Sequence, residues 1–342
     1  MSEKTTIYDI AKKLNISAAT VSRALNNNPK ISKSTCKLVM ETAAKMNYKQ
    51  NLLAQALRSG KSNNVGVIVP RIDSNFFASI IRGIEEELTP HKYHVIICQT
   101  HEDEKTEIEN INTLLNAQVD GIMISITNES EENEKTIKRV LDKNVPLIFF
   151  DRKKNMQGVS SVTIDDFKGG YIATKHLIDS NCKRIAHFCG DQSLEIYKNR
   201  LNGYKQALQD NNIPFNENYV IRTKSSLEAG KLSVDKLLKL NPPPDAIFSS
   251  SDFAALGAIQ ELKSRGIKIP DDFCVVGFGD EPFTKFMELS ISSVDQSPLE
   301  MGKMTARVFL EQMKNDNKDL KIEKNVILNP ELHIRKSSTK IL

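Results

Sequence analysis

From Val65 onward the chain repeats one unit: a short, continuously apolar run, then a longer stretch with apolar residues at helical spacing. Seven runs stand out: "VGVIVP", "HVIICQT", "DGIMISI", "PLIFFD", "RIAHFCG", "DAIFSSSD" and "FCVVGFGD". A strand that is apolar along its whole length must be covered on both faces, and helical connections supply that cover. The pattern predicts an α/β fold of parallel sheets with flanking helices. Seven strands over about 270 residues fit two lobes better than one.

Several of these elements end on a polar residue: Asp151 with Arg152, Asp165, Asp191, Asp252 and Asp280. Ligands of open α/β sheets bind beyond the carboxyl ends of the strands, so these side chains converge where a small polar ligand would sit. Each aspartate alone reads more readily as a turn or a helix cap than as a ligand contact; their recurrence is what points to a site.

Residues 1–61 differ in kind. They hold eleven lysines and arginines against three acids, a surplus of eight in a chain of net charge +4, which leaves −4 for the rest. A basic head on a mildly acidic body predicts a polyanion binder at one end, the alternative being a solvated basic face. Ile7, Ile10, Ala11 and Leu14 recur at helical spacing, and Asn15 then suits the left-handed conformation of a tight turn. Within "NISAATVSRALN", Ser17 suits the cap of a second helix, Val21 and Leu25 face back toward the first, and Ala18, Ala19, Ser22 and Arg23 point outward. A third helix, about Ser32 to Met46, brings Leu38, Val39, Ala43 and Met46 to close the core. This is a helix-turn-helix layout, whose second helix enters the major groove. There Arg23 offers a fork for guanine O6 and N7, Ala18 and Ala19 suit thymine methyls, and Thr20 and Ser22 suit phosphates. "NLLAQALRSGKSNN" follows, an apolar stub too short to be helical alone and then a polar linker.

Other classes are disfavoured. No stretch approaches the roughly 18 uncharged apolar residues of a membrane span, and "MSEKTTIYD" lacks the apolar core of an export signal, so a soluble cytoplasmic protein is expected. The five cysteines form no CxxC pair and read as buried thiols. His91 and His94 in "HKYH" have no completing ligand set, so neither metal nor cofactor is expected. With no GxxxxGK[ST], no GxSxG and no Gly-rich loop after the first strand, no enzyme and no catalytic residues are expected.

Along nearly its whole length the sequence resembles the LacI/GalR (lactose-repressor and purine-repressor) family of transcription regulators. The resemblance is carried by "TIYDIAKKLNISAATVSRALNN", "NLLAQALRSGKS", "VGVIVP" with "NFFASIIRGIE", "DGIMIS", "PLIFFDR", "VTIDDFKGGYIATKHLI", "NRLNGYKQAL", "SSSDFAALGAIQEL", "DFCVVGFGDEP", "SSVDQSPLEMG" and "ELHIRKS". The first two motifs are specific to the family; the others are shared with periplasmic sugar-binding proteins.

The resemblance implies a helix-turn-helix headpiece over 1–50, a hinge helix and linker over 51–62, and a two-lobed, periplasmic-binding-protein-like body over 63–342. It puts lobe 1 at about 63–164 and 296–325, and lobe 2 at about 165–295 and 326–342. It further implies a homodimer on a palindromic double-stranded operator, with Leu57, between the small Ala54 and Ala56, wedging a minor-groove base step; otherwise the hinge is a linker with a nascent helix. DNA contacts then fall on Thr6, Ser17, Ala18, Ala19, Thr20, Ser22, Arg23, Asn26 and Leu57. An effector, a sugar or sugar derivative in the inter-lobe cleft, controls operator binding and meets Phe76, Phe77, Asp151, Arg152, Arg200, Asp252, Asp280 and Gln296. With no tryptophan in the chain, only Phe or Tyr can stack on a sugar, and Phe76 and Phe77 are equally readable as core.

Two positions depart from the family pattern. Gly279 stands where many relatives carry an aspartate and Asp280 follows it, so the usual carboxylate is displaced or absent. "RTKSSLEAG" lacks a ring that some relatives have there. One alternative is a catabolite-control regulator whose co-effector is a phosphorylated carrier protein; "AATVSR" resembles that branch, but "IIRGIEEEL" is acidic where a basic surface is needed. The other is a sugar-binding module without a DNA role, against which the basic head stands. The closing "STKIL" has no leucine heptads, which favours a dimer over a tetramer.

Overall fold

The structure, a computed structural model, describes residues 5–49, 61–127, 130–314 and 323–340. Two compact units divide the chain, Met1–Ser62 and Asn63–Leu342.

In the first unit α1 (Ile7–Leu14), α2 (Ala18–Leu25) and α3 (Lys33–Lys45) close around Ile10, Ala11, Val21, Ala24, Cys36, Val39 and Ala43. Local chemistry sets the corners. Asn15 takes φ +51°, the left-handed conformation that ends α1. The Ser17 hydroxyl accepts the Thr20 N–H at 3.1 Å, and that of Ser32 accepts the Thr35 N–H at 3.1 Å, starting α2 and α3. Two expectations are corrected. Leu38 does not close the core but is 52% exposed, because α3 turns Cys36, Val39 and Ala43 inward at i, i+3 and i+7. Ala18 is half-buried against the same core rather than fully outward. The hinge, with Ala54, Ala56 and Leu57, lies outside the described residues.

The second unit runs β1 (Asn64–Val69), α4 (Asn75–Leu88), β2 (His94–Gln99), α5 (Glu104–Asn116), β3 (Gly121–Ile124), α6 (Glu131–Asp142), β4 (Leu147–Phe150) and β5 (Ser160–Ile164). It continues with α7 (Asp166–Asp179), β6 (Ile185–Cys189), α8 (Glu195–Asp210), β7 (Val220–Arg222), α9 (Leu227–Leu237), β8 (Ala246–Ser249), α10 (Asp252–Ser264), β9 (Cys274–Phe278), α11 (Phe283–Phe286) and β10 (Ser292–Asp295). The chain then returns through α12 (Pro298–Lys314), β11 (Asn325–Leu328) and β12 (Glu331–His333).

Two six-stranded sheets result, ordered β11-β5-β4-β3-β1-β2 and β12-β10-β9-β8-β6-β7; every pairing is parallel except β10 with β12. The continuous apolar runs are covered on both faces, except that β2, at the edge of the first sheet, leaves Ile97 49% exposed. Val65, Val67 and Val69 of β1 meet α4 and α12, while Ile68 joins the core under α5 and α6. In β8, Ile247 faces one core, and Ala246 and Phe248 the other. Burial of each such side chain contributes about 1.5–3 kcal/mol.

The runs marked only seven strands. β5, β7, β10, β11 and β12 are three to five residues long, too short for a period to show, and β5 is fully buried although Ser160, Ser161 and Thr163 are polar. The chain crosses between sheets after β5, β10 and β11. The last crossing falls later than the sequence suggested: Val326, Ile327 and Leu328 pair with Val162, Thr163 and Ile164 in the first sheet, and only β12 joins the second.

Candidate functional site

In the headpiece, α2 begins at the Ser17 cap, whose hydroxyl also lies 2.9 Å from Thr20 Oγ1. Ala19 and Arg23 are exposed beyond it, and Arg23 enters no ion pair among the described residues. Asn26 Nδ2 donates to the Ser22 carbonyl at 2.6 Å, holding the last turn. Thr6 works at the start of α1: its N–H and hydroxyl both donate to Asp9 Oδ2, at 2.8 and 2.7 Å, and these bonds hold the Asp9 carboxyl below its usual range. A short helix with small residues on its first turn and an outward guanidinium can approach a surface closely and present a planar two-donor fork.

In the body, a cavity of about 280 Å³ opens beyond the carboxyl ends of β4 and β5, against the N-termini of α7 and α8. Its walls include Ile126, Asp151, Arg152, Lys153, residues 163–167, Leu194, Glu195, Ile196, Asn199 and Ile327. Asp151 has φ +60°, which turns the chain out of β4 while its N–H still reaches the Val162 carbonyl. Its Oδ2 accepts from Ser125 Oγ at 3.0 Å, and burial pushes its carboxyl up. Glu102 grips both terminal nitrogens of Arg152, at 2.6 and 3.1 Å. Burial opposes the Arg152 charge, yet the Glu102 bonds and the Asp151 charge outweigh it and raise its pKa. The Arg152 Nε, 3.7 Å from Asp151 Oδ2, is buried without a hydrogen-bond acceptor.

Arg200 is the second organiser. From α8, Nε donates to Asp166 Oδ1 at 2.7 Å, one terminal nitrogen to the Ser250 carbonyl at 3.2 Å, and the other to Gln296 Oε1 at 3.1 Å. The guanidinium also sits 3.7 Å from the centre of the Phe278 ring. Asp166 follows the first inter-sheet crossing and Gln296 lies on the second, so one side chain ties two crossings together. Burial outweighs Arg200 and pushes the Asp166 carboxyl up to about 6. The tie depends on α7 and α8 crossing at glycines. A Cβ on Gly170 would lie 2.2 Å from the Arg200 carbonyl oxygen, and one on Gly203 would lie 2.0 Å from that of Phe167.

Asp151 and Arg152 thus line the cavity, and Arg200 and Gln296 reach it through Asp166. The other four residues singled out for a ligand stand apart from its walls. Phe77 is 6% exposed in the first-sheet core, with half-buried Phe76 edge-on at 5.1 Å. Asp252 is 1% exposed; its oxygens accept from Ser293 Oγ at 2.6 Å and the Glu281 N–H at 2.8 Å, and burial pushes it up to about 7. Asp280, the displaced carboxylate, anchors the C-terminal segment instead, meeting Arg335 at 2.7 Å, Lys285 at 2.9 Å and His333 at 3.0 Å. Those partners hold it below its usual range despite burial. Asp280, Asp295 and His333 also bring oxygen and nitrogen atoms within 4.8 Å of one another, but Arg335 and Lys285 already neutralise Asp280. Sequence reasoning missed Glu102, Ser125 and Asp166. Only Asp166 had a signal, the "DD" after β5, and nothing local says which aspartate turns inward.

Residues 6–51 match the family model described as bacterial regulatory proteins, lacI family, and residues 62–329 match that of periplasmic binding proteins and sugar binding domain of LacI family. The chain is 34% identical to the HTH-type transcriptional regulator DegA of Bacillus subtilis (strain 168) over 336 residues, 98% of each chain. It is 33% identical to catabolite control protein A of Priestia megaterium over 318 residues, 93% of this chain and 95% of the relative. The crystal structure of the lac repressor dimer bound to operator and an anti-inducer shares the fold, with a TM-score of 0.86 at 22% identity over 99% of this chain and 100% of that one. With one family model spanning most of the body and another the headpiece, the chain belongs to the LacI family of DNA-binding transcription regulators.

Proposed function

We propose that this regulator binds a palindromic operator as a homodimer and that a small sugar-like ligand between its lobes sets its operator affinity. The observation that carries the reading is Arg200: one buried guanidinium beside the cavity holds Asp166 and Gln296 on two of the crossings between lobes. A ligand that engages Asp151, Arg152 or Asp166 competes within that network and so biases the lobe arrangement. Allosteric coupling of this kind is typically about 1–3 kcal/mol, or 5- to 150-fold in affinity. On DNA, α2 enters the major groove with Arg23 toward a guanine and Ala18 and Ala19 toward thymine methyls, while Thr6, Ser17, Thr20, Ser22 and Asn26 meet the backbone. Leu57 wedges the minor groove. No catalysis is assigned, and the protein works in the cytoplasm, where its operator is.

The test is anisotropy titration of a selected palindromic site, alone and with a panel of sugars. At least a fivefold change with one sugar is expected; an operator affinity indifferent to every sugar would remove the allosteric part. A second reading has a phosphorylated carrier protein as co-effector. The 33% identity to catabolite control protein A supports it, as does the pairing of Glu86 with Lys303 and Glu87 with Arg307, which interleaves bases with the acidic face of α4. Operator affinity raised by the phosphorylated carrier without any sugar would favour that reading.

A further inference from the structure

The cavity walls carry four carboxylates, Asp151, Asp165, Asp166 and Glu195, against two cations, Arg152 and Lys153. The terminal nitrogens of the guanidiniums there are already engaged: Glu102 holds both of those of Arg152, leaving only its Nε without an acceptor, and Ser250 and Gln296 hold those of Arg200, whose Nε is held by Asp166. The carboxylates are in the opposite condition. Asp151 and Asp166 are 5% and 4% exposed, and each uses one oxygen, Oδ2 of Asp151 toward Ser125 and Oδ1 of Asp166 toward Arg200. Among the described residues the other oxygen of each accepts no hydrogen bond, which leaves it to whatever fills the cavity that both residues line. Asp151 ends a strand of the first sheet, while Asp166 opens α7, which packs on the second. A donor group between them therefore touches both lobes.

We propose that the ligand of this cleft is a monosaccharide-sized polyhydroxy amine whose ammonium group lies between Asp151 and Asp166. The proposal rests on the effector reading above and narrows it. An ammonium supplies three donors and a positive charge to a wall with two surplus carboxylates. Charge-assisted bonds of this kind are roughly twice as strong as neutral ones. A sugar phosphate would bring a second negative group with only Lys153 to meet it. The volume, about 280 Å³, falls just below the roughly 300–1,000 Å³ of drug-sized ligand sites and suits a single ring. Burial raises the proton affinity of both aspartates although Arg200 and, for Asp151, Arg152 oppose the rise, so a further positive group between them would be favoured.

The experiment is calorimetry on the full chain with D-glucosamine, D-galactosamine and D-mannosamine, compared with D-glucose, N-acetyl-D-glucosamine and D-glucosamine 6-phosphate. At least one amine is expected to bind about tenfold tighter than all three comparison compounds, the worth of one charge-assisted contact. Glu195→Gln, on the exposed rim, should weaken that amine about two- to fivefold with unchanged thermal stability, and Asp151→Asn about tenfold or more. Neutral or phosphorylated sugars binding as tightly as the amines would overturn the assignment and leave the effector reading standing. So would amine affinity unchanged in Glu195→Gln and Asp151→Asn. Failure of all six compounds would overturn the assignment, and a wider sugar panel without effect on operator affinity would then remove the effector reading separately.

Discussion

Arg200→Met keeps an aliphatic side chain and removes the charge. Asp166 loses its partner at 2.7 Å, the Ser250 carbonyl and Gln296 amide lose theirs, and Phe278 loses the cation over its ring. Breaking one side of a buried ion pair costs about 3–5 kcal/mol, because the remaining charge is stranded. That cost depends on pH. In the intact protein burial raises the Asp166 pKa from 3.8 to about 6, with Arg200 opposing the rise and the Asp151 and Asp165 charges adding to it. A carboxyl with a raised folded pKa keeps its proton longer folded than unfolded. Its contribution to stability is therefore complete below about pH 4 and is lost as pH rises through about 6. The shift of about two units corresponds to ~3 kcal/mol across that window. Without Arg200 the window moves higher. Urea denaturation should show the full loss at pH 8 and roughly half or less at pH 5, where Asp166 remains as the neutral acid. Asp166→Asn combined with Arg200→Met should be at least about 1–2 kcal/mol less destabilised than the sum of the single variants. Equal losses at pH 5 and pH 8, together with additive variants, would refute the stranded-carboxylate argument.

Arg23→Ala should relax discrimination at one base pair per half-site by about 1–3 kcal/mol, and an unchanged consensus from binding-site selection would count against its role. Ser17→Ala removes the acceptor for the Thr20 N–H and should lower the protection of the α2 amides against hydrogen exchange by about 1 kcal/mol. In Gly203→Ala the new Cβ meets the Phe167 carbonyl at 2.0 Å, so α8 must move off α7 and carry Arg200 with it. The expected cost is about 1–3 kcal/mol, and an unchanged melting temperature would show that this crossing is looser than its geometry.

The headpiece was legible because its determinants are local. Asn15 at φ +51° and the Ser17 and Ser32 caps act within three residues of themselves, and the apolar spacing of α1 and α2 needs no distant partner. Leu38 was misplaced because several rotations of α3 satisfy its own pattern, and only packing against α1 and α2 selects the one that buries Cys36. The body's class was legible because short apolar runs alternating with longer amphipathic stretches fit parallel strands covered by helices, although β2 at the sheet edge leaves Ile97 exposed.

What the sequence determined by itself was the set of elements and their class: two α/β lobes behind a basic helix-turn-helix, and a set of polar residues at strand ends. Tertiary structure decided what each polar residue does there. Asp151, Asp252 and Asp280 all follow apolar strands, yet the first lines a cavity, the second is closed off by Ser293 and Glu281, and the third binds the tail through Arg335 and His333. A carboxylate's role is set by which donors lie within about 3 Å of it, and here those donors arrive from residues up to 55 positions away, brought together only when the sheets close.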